Sequence, residues 1–339
     1  MLKIGINGFG RIGRLVLRAL LEKNETDLKV LAINDLGSLE QNIHLLKYDT
    51  VHGMLPFETS FRDNIANIGD QEIKFYNKRS PNEIPWEDHG IDIVLECTGI
   101  FTKAEDAKKH LKGSVKKVLI SAPASNADIT VVYGVNDKLL EKKHEIISNA
   151  SCTTNCLAPV AKIINDNFEI EAGFMTTVHS FTSDQRILDG LHGDLRRART
   201  ASSSMIPTST GAAKAVGLVL PELSGKLDGT AIRIPTPNVS MIDFTFYTKK
   251  NINSANINAK IKEACLNSFK GIVQFNELPL VSIDFNHNPA SSIFDSTQTQ
   301  TTGENFGRIL SWYDNEWGFS NRMIDVCKSL EQLLWSLKH

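Results

Sequence analysis

The chain opens with a short apolar run, Lys3–Asn7, breaks at a glycine-rich turn, and resumes over Arg11–Glu22 with Ile12, Leu15, Val16, Ala19 and Leu20 at helical spacing. Spacing of that kind predicts a strand followed by an amphipathic helix. Leu28–Asn34 is strand-like again. Further strand candidates are Ile91–Glu96, Lys117–Ser121, Thr130–Tyr133 and Glu145–Ser148, with a polar amphipathic helix at Lys103–Leu111. Strands alternating with helices predict a parallel sheet covered on both faces. Beyond Asn149 the pattern changes. Cys152–Asn165 reads as a helix, followed by longer strand candidates at Gly173–Ser180, Thr230–Ile234, Val239–Tyr247 and Arg308–Tyr313. A helix is expected at Ala255–Phe269 and a last one from Ser320 to Leu337. Longer strands with fewer helices between them point to a mixed or antiparallel sheet. Phe181–Ser204 is polar and aperiodic, and a loop of that length inside an enzyme is usually functional or interfacial.

The glycine turn is Gly8-Phe9-Gly10-Arg11-Ile12-Gly13, a G-x-G-x-x-G between a strand and a helix, and Asp35 ends the next strand roughly 20 residues on. In a dinucleotide fingerprint the first glycine allows the tight turn, the second lets the backbone approach a pyrophosphate, and the third lets helix pack on strand. The helix N-terminus supplies N–H groups and positive dipole to the phosphates. A carboxylate at Asp35 suits the ribose hydroxyls of NAD and repels the 2′-phosphate of NADP. The expected fold is therefore α/β. A Rossmann dinucleotide-binding domain spans 1–150 plus 318–339, and an α+β catalytic domain with a mixed or antiparallel sheet spans 151–317.

With 339 residues, 41% of them hydrophobic, about two domains with substantial cores are expected. The net charge of −2 gives no global field for nucleic acid or an anionic membrane, and no apolar run nears the roughly 18 residues of a membrane span. Five scattered cysteines (Cys97, Cys152, Cys156, Cys265, Cys327) do not read as a disulfide framework, and the first residues read as the first strand of the fold rather than a leader, which points to the cytoplasm. No cysteine–histidine spacing suits a metal, so none is expected.

Ser151-Cys152-Thr153-Thr154-Asn155-Cys156 sits where a strand hands over to a helix, with Ser151 a plausible N-cap. A thiol in a helical first turn gains thiolate character from the dipole. Cys152 could instead be a small buried packing residue, but the hydroxyls and asparagine crowding it make a poor core sequence. Cys156, one turn on, reads better as packing. His179 ends an apolar run and is the best candidate base, although a lone histidine is as readily structural.

These residues stand in motifs that closely resemble the glyceraldehyde-3-phosphate dehydrogenase family along essentially the full length: GINGFGRIGR, LLKYDTVHG, SNASCTTNCLAP, TTVHSFT, DLRRAR, STGAAKAVG and SWYDNEWG. The resemblance implies an NAD-dependent, phosphorylating aldehyde dehydrogenase of glycolysis and gluconeogenesis, in which Cys152 attacks the aldehyde, His179 acts as base, and phosphate cleaves a thioester. It implies that Thr182 and Arg233 hold the substrate phosphate, and that Ser151, Thr153, Arg197, Thr210 and Gly211 hold the attacking phosphate. Arg196 and Arg199 read as well as a solvated basic patch. For NAD it implies Gly8, Gly10, Arg11, Ile12 and Gly13 at the pyrophosphate, Asp35 at the ribose, contacts from Arg79 and Ser121, and Asn315 at the nicotinamide amide. It implies a homotetramer. Phe181 and Phe319 stand where many relatives carry tyrosine, Ser183 where asparagine is common, and Gly190-Leu191 where leucine-proline is frequent. Erythrose-4-phosphate dehydrogenase is the nearest alternative. A semialdehyde dehydrogenase and a non-catalytic binding protein are further ones.

Overall fold

The computed structural model describes residues 1–335, and the chain divides into two compact units. The first comprises Met1–Val131, Asp137–Ala150 and the C-terminal segment from Ser320. Its elements are β1 (Leu2–Asn7), α1 (Arg11–Glu22), β2 (Leu28–Asn34), α2 (Leu39–Lys47), a ribbon of β3 (Tyr48–Asp49) and β4 (Gly53–Met54), and a meander of β5 (Thr59–Arg62), β6 (Ile65–Ile68) and β7 (Gln71–Tyr76). After them come β8 (Ile93–Glu96), α3 (Ala104–Ala107), β9 (Lys117–Ile120), β10 (Ile129–Thr130) and β11 (Ile146–Ser148). The sheet order is β10-β11-β9-β8-β1-β2-β7-β6-β5, parallel from β10 to β7. The chain crosses from β1 to β2 on one side and later returns to β8 on the other. This leaves a crevice at the C-terminal ends of these strands, where doubly wound sheets bind ligands.

The central strands are apolar because the sheet is covered on both faces: Ile4 and Ile6 of β1, Val30 and Ile33 of β2, and all of β8 are buried. Helix α1 buries Leu15, Val16, Ala19 and Leu20 as its spacing predicts. The expected helix at Lys103–Leu111 contracts to α3 and a 3₁₀ turn, Lys108–His110. The expected strand at Thr130–Tyr133 shortens to Ile129–Thr130. Helix α2 went unpredicted. Its apolar stripe is thin, and a capping box, Ser38 with Gln41, supports its start.

The second unit, Val132–Asn136 with Ser151–Phe319, holds α4 (Cys152–Phe168), β12 (Ile170–Ser180), β13 (Ile206–Ser209), α5 (Ala212–Val219), β14 (Leu227–Ile234) and β15 (Ser240–Thr248). It continues with α6 (Ser254–Leu266), β16 (Val273–Asn276), β17 (Ser292–Asp295), β18 (Gln300–Thr302) and β19 (Phe306–Tyr313). Its sheet, β13-β14-β12-β15-β19-β17-β16, is mixed: β12 runs parallel to β14 and antiparallel to β15. Ile242, Phe244 and Phe246 of β15 alternate into the core, while Tyr247 and the neighbouring Phe174 stay exposed. Helix α7 (Trp317–Trp335) ends the described chain, so the expected helical residues beyond Trp335 lie outside the described residues. Among the described residues no helix is long and apolar enough to cross a membrane.

Candidate active site

Cys152 is the first residue of α4. Ala150, two residues earlier, is held at φ +54°, a left-handed conformation costly for a residue with a Cβ. Ser151 caps the helix, its Oγ accepting from the Thr154 N–H at 3.0 Å. His179, one residue from the end of β12, has its Nε2 3.5 Å from Cys152 Sγ. Its Nδ1 lies 2.7 Å from the Ser180 carbonyl and 2.8 Å from Arg233 Nη1, which itself donates to that carbonyl at 3.1 Å. The carbonyl calls for a proton on Nδ1 and the guanidinium for a lone pair, so the two contacts oppose each other. With Nδ1 protonated, Nε2 presents its lone pair to the thiol.

Burial pushes the Cys152 thiol up, against the opposing pull of Arg233 and the Thr153 hydroxyl and N–H. The sequence-based expectation of a dipole-stabilised thiolate thus meets a larger desolvation effect. Burial, reinforced by the charge of Arg233, lowers His179 to about 3. Without an anion nearby, the proton rests on sulfur.

Tyr313 was not singled out from the sequence. Its buried hydroxyl lies 2.8 Å from Thr153 Oγ1 and 2.9 Å from Thr177 Oγ1, tying the first turn of α4 to the strand that carries His179. Its ring meets the imidazole edge-on at 5.8 Å. The Thr153 hydroxyl is thus engaged away from solvent, which leaves its backbone N–H as its contribution to an anion.

Two arginines bear on this pair. Arg233 is the β14 residue directly beside His179 in register, and its buried Nε has no partner. Arg197 is held by Asp184 at 2.9 Å, Thr208 at 3.0 Å and the Ser209 carbonyl at 3.2 Å, and its charge reaches both His179 and Arg233. Asp184, in the aperiodic loop, was also not foreseen. Gly211 caps α5, Thr210 Oγ1 accepts from the Ala212 N–H at 3.2 Å, and Thr154 Oγ1 donates to the Ala212 carbonyl at 3.3 Å. The N-termini of α4 and α5 therefore adjoin, doubling the favourable dipole for an anion. Thr182 is half-buried in the same loop. Asn315 Oδ1 accepts from Ser180 Oγ at 2.8 Å and Ser240 Oγ at 2.7 Å, which sets the orientation of its amide.

In the first unit the three glycines do what their positions require. Gly8 has φ +89°, and a Cβ there would lie 2.6 Å from the Thr98 nitrogen; one at Gly13 would lie 2.2 Å from the Gly8 carbonyl. A Cβ at Gly10 would meet nothing within 4 Å, so that face of the loop is open. Asp35 Oδ2 accepts the Phe9 N–H and Oδ1 the Gly37 N–H, both at 2.8 Å. A cavity of ≈ 350 Å³ is lined by Gly8, Gly10, Asp35, Arg79 and Thr98. The Arg11 guanidinium is turned to Asp49, and Arg11 and Ile12 form the first turn of α1 directly after the glycine loop. Ser121 stands at the end of β9, its N–H bonded to the Glu96 carbonyl at 3.0 Å. An open glycine face, a carboxylate at the next strand end and a cation at the rim fit NAD.

Two family models match. The NAD binding domain of glyceraldehyde 3-phosphate dehydrogenase covers residues 2–104, and the C-terminal domain of glyceraldehyde 3-phosphate dehydrogenase covers 151–315. Similar proteins include a glyceraldehyde-3-phosphate dehydrogenase of Xanthobacter flavus, 57% identical over 98% of this chain and 99% of that protein. Those of Cereibacter sphaeroides (54%, 98% and 99%) and Geobacillus stearothermophilus (53%, 96% and 96%) are similar as well.

Proposed function

This chain belongs to the glyceraldehyde-3-phosphate dehydrogenase family, and from that premise we propose a residue-level course for its reaction. It is an NAD-dependent oxidoreductase that converts D-glyceraldehyde 3-phosphate and inorganic phosphate to 1,3-bisphosphoglycerate. Relatives of the same name at 50–57% identity favour this substrate over erythrose 4-phosphate. The supporting observation is the Cys152–His179 contact at 3.5 Å, which serves proton transfer in the tautomer that leaves Nε2 unprotonated.

The substrate phosphate is assigned to Arg233, whose buried Nε lacks a partner, and to Thr182. Its negative charge offsets the arginine that holds His179 down, so the base gains proton affinity as substrate arrives. Sγ then adds to the aldehyde carbon as its proton passes to Nε2, and the backbone N–H of Cys152 faces the developing oxyanion. Bound NAD supplies a two-electron acceptor at its nicotinamide. Nε2 returns its proton to that oxygen, giving a hydroxyl, and takes it back as hydride leaves the carbon, so that a thioester remains on Sγ. Inorganic phosphate, assigned to Ser151, Thr153, Arg197, Thr210 and Gly211, attacks that carbon, and sulfur leaves. NAD is assigned to the glycine loop with Asp35, Arg79 and Ser121, and Asn315 to its amide. A strong preference over NADP follows from Asp35.

A homotetramer is the proposed assembly. Ile187, Leu188, Leu191 and Leu195 are exposed along the aperiodic loop, Met205 just after it, and Phe174 and Tyr247 on the open sheet face. Apolar surface of that extent in one chain calls for a covering partner. The cytoplasm is the proposed location, in keeping with five free cysteines. Turnover measured with and without inorganic phosphate tests the whole reading: NADH production should stop after one equivalent per site when phosphate is withheld. Sustained turnover without phosphate would contradict it.

A further inference from the structure

The dinucleotide cavity rests on polar side chains that the oxidation chemistry does not use. Glu96, Asn7 and Asn34 stand side by side at the C-terminal ends of β8, β1 and β2, and all three are buried. Asn34 Nδ2 donates to Asn7 Oδ1 at 2.8 Å, and Asn7 Nδ2 donates to Glu96 Oε2 at 2.6 Å. Each end of this row grips a wall of the cavity. Asn34 accepts the Lys78 N–H at 2.8 Å and donates to the Lys78 carbonyl at 2.9 Å, beside Arg79. Glu96 Oε1 accepts the Thr98 N–H at 2.9 Å and the Thr98 hydroxyl. Behind Glu96, Trp86 Nε1 donates to His110 Nδ1 at 3.1 Å, which places the ring proton on Nε2, and Nε2 donates to Glu96 Oε2 at 3.0 Å. Asn7, Asn34, Lys78, Arg79 and Thr98 all line the cavity.

We propose that Glu96 is a positioning residue for NAD: through Asn7 and Asn34 it sets the separation of the backbone walls at Lys78–Arg79 and Cys97–Thr98. This rests on reading the cavity as the dinucleotide site. Four donors and no acceptor face the carboxyl group, the set that an ionised carboxylate satisfies and an amide does not. The row also controls the phosphate turn, because Asn7 leads directly into Gly8, where an added Cβ would lie 2.6 Å from the Thr98 nitrogen. A shift of either wall therefore moves the turn that a pyrophosphate would contact.

The test is calorimetric titration of full-length protein with NAD, combined with amide hydrogen exchange. In Glu96→Gln one amide hydrogen must face a donor, so NAD should bind about tenfold more weakly. The Thr98 and Lys78 amides should exchange faster while those of β12 keep their protection, a local pattern that general destabilisation would not produce. Wild-type affinity and exchange in a folded Glu96→Gln protein would overturn the proposal. Should that variant fail to fold, Asn34→Asp decides instead. It keeps the acceptor for the Lys78 N–H but loses the donor to Asn7 and to the Lys78 carbonyl, and unchanged NAD binding there overturns the proposal too. Asp35→Ala separates the premise: if it binds NAD as tightly as wild type, the cavity is not the dinucleotide site. If only Asp35→Ala weakens binding, the cavity reading stands and the role of Glu96 falls.

Discussion

Cys152 and His179 share one proton, and each is defined by what the other lacks. Cys152→Ser should abolish turnover and leave the NAD dissociation constant within about twofold, because an alcohol is far less ionised than a thiol. Wild-type turnover in that variant would remove Cys152 from the mechanism. His179→Asn should retain activity lowered roughly 10²–10⁴-fold, with slower alkylation of Cys152 at neutral pH. Arg197→Leu should still give a burst of NADH in stopped flow, then a steady rate with phosphate response weakened about ten- to a hundredfold, as for loss of a charge-assisted contact of about 1.5–3 kcal/mol. A steady rate equal to wild type at every phosphate concentration would make Arg197 a bystander. Asp49 supplies a pH signature. Burial opposes its ionisation, but the Arg11 guanidinium and the His52 and Val51 N–H groups outweigh this and hold it at about 2. The stability it contributes is thus present above the ordinary carboxylate value, 3.8, and lost as pH falls through about 2. The melting-temperature gap between wild type and Asp49→Asn should be full at pH 6 and shrink from about pH 4 downward. A constant gap would mean that the carboxylate contributes only packing.

Elements are held in catalytic register by side chains that make no contact with substrate in this reading. The Tyr313 hydroxyl joins Thr153 on α4 to Thr177 on β12, so Tyr313→Phe takes a partner from the buried Thr153 hydroxyl, while Thr177 still donates to the Met241 carbonyl at 3.0 Å. A cost of about 1–3 kcal/mol in unfolding free energy is expected, together with slower Cys152 alkylation. Alkylation at the wild-type rate would show that the α4–β12 spacing survives without it. That bridge also marks the limit of what the sequence discloses. The glycine loop, Asp35, α1 and the Cys152 helix were legible because local spacing alone specifies strand, turn and helix. Helix α2 was not, since its nine residues carry little periodicity and its start depends on a reciprocal cap. Strands β5–β7 were missed for a similar reason: β5 and β6 are four residues each, and β5 is half-exposed or exposed throughout. Tyr313 and the Glu96 row are contacts between residues far apart in the chain, and Asp184 pairs with Arg197 within a loop that has no periodicity, so no local pattern encodes them. His179 lay between these cases. A strand end could be read from its flanks, but its pairing with Cys152 depends on tertiary geometry.

At the scale of the whole molecule, the segment between β12 and β13 has two aspects. At its ends it carries Thr182, Asp184 and Arg197. Between them it exposes Leu188, Leu191 and Leu195, at 74, 94 and 82%. It is partly tied to itself, by Arg199 to Asp189 and by the Ala201 N–H to the Arg186 carbonyl, so its order does not rest wholly on a partner. Light scattering should nevertheless find a homotetramer at assay concentrations, and Leu188→Asp with Leu191→Asp should shift it toward smaller species and lower the melting temperature. A fully active wild-type monomer would contradict the assembly. The same loop carries a genetic consequence. Because its apolar tip and the ends proposed to bind anions are one stretch of backbone, damage confined to the tip would reach that subunit's own phosphate site. Substitutions at the tip would therefore lose assembly and phosphate response together, and selection could not change one without the other.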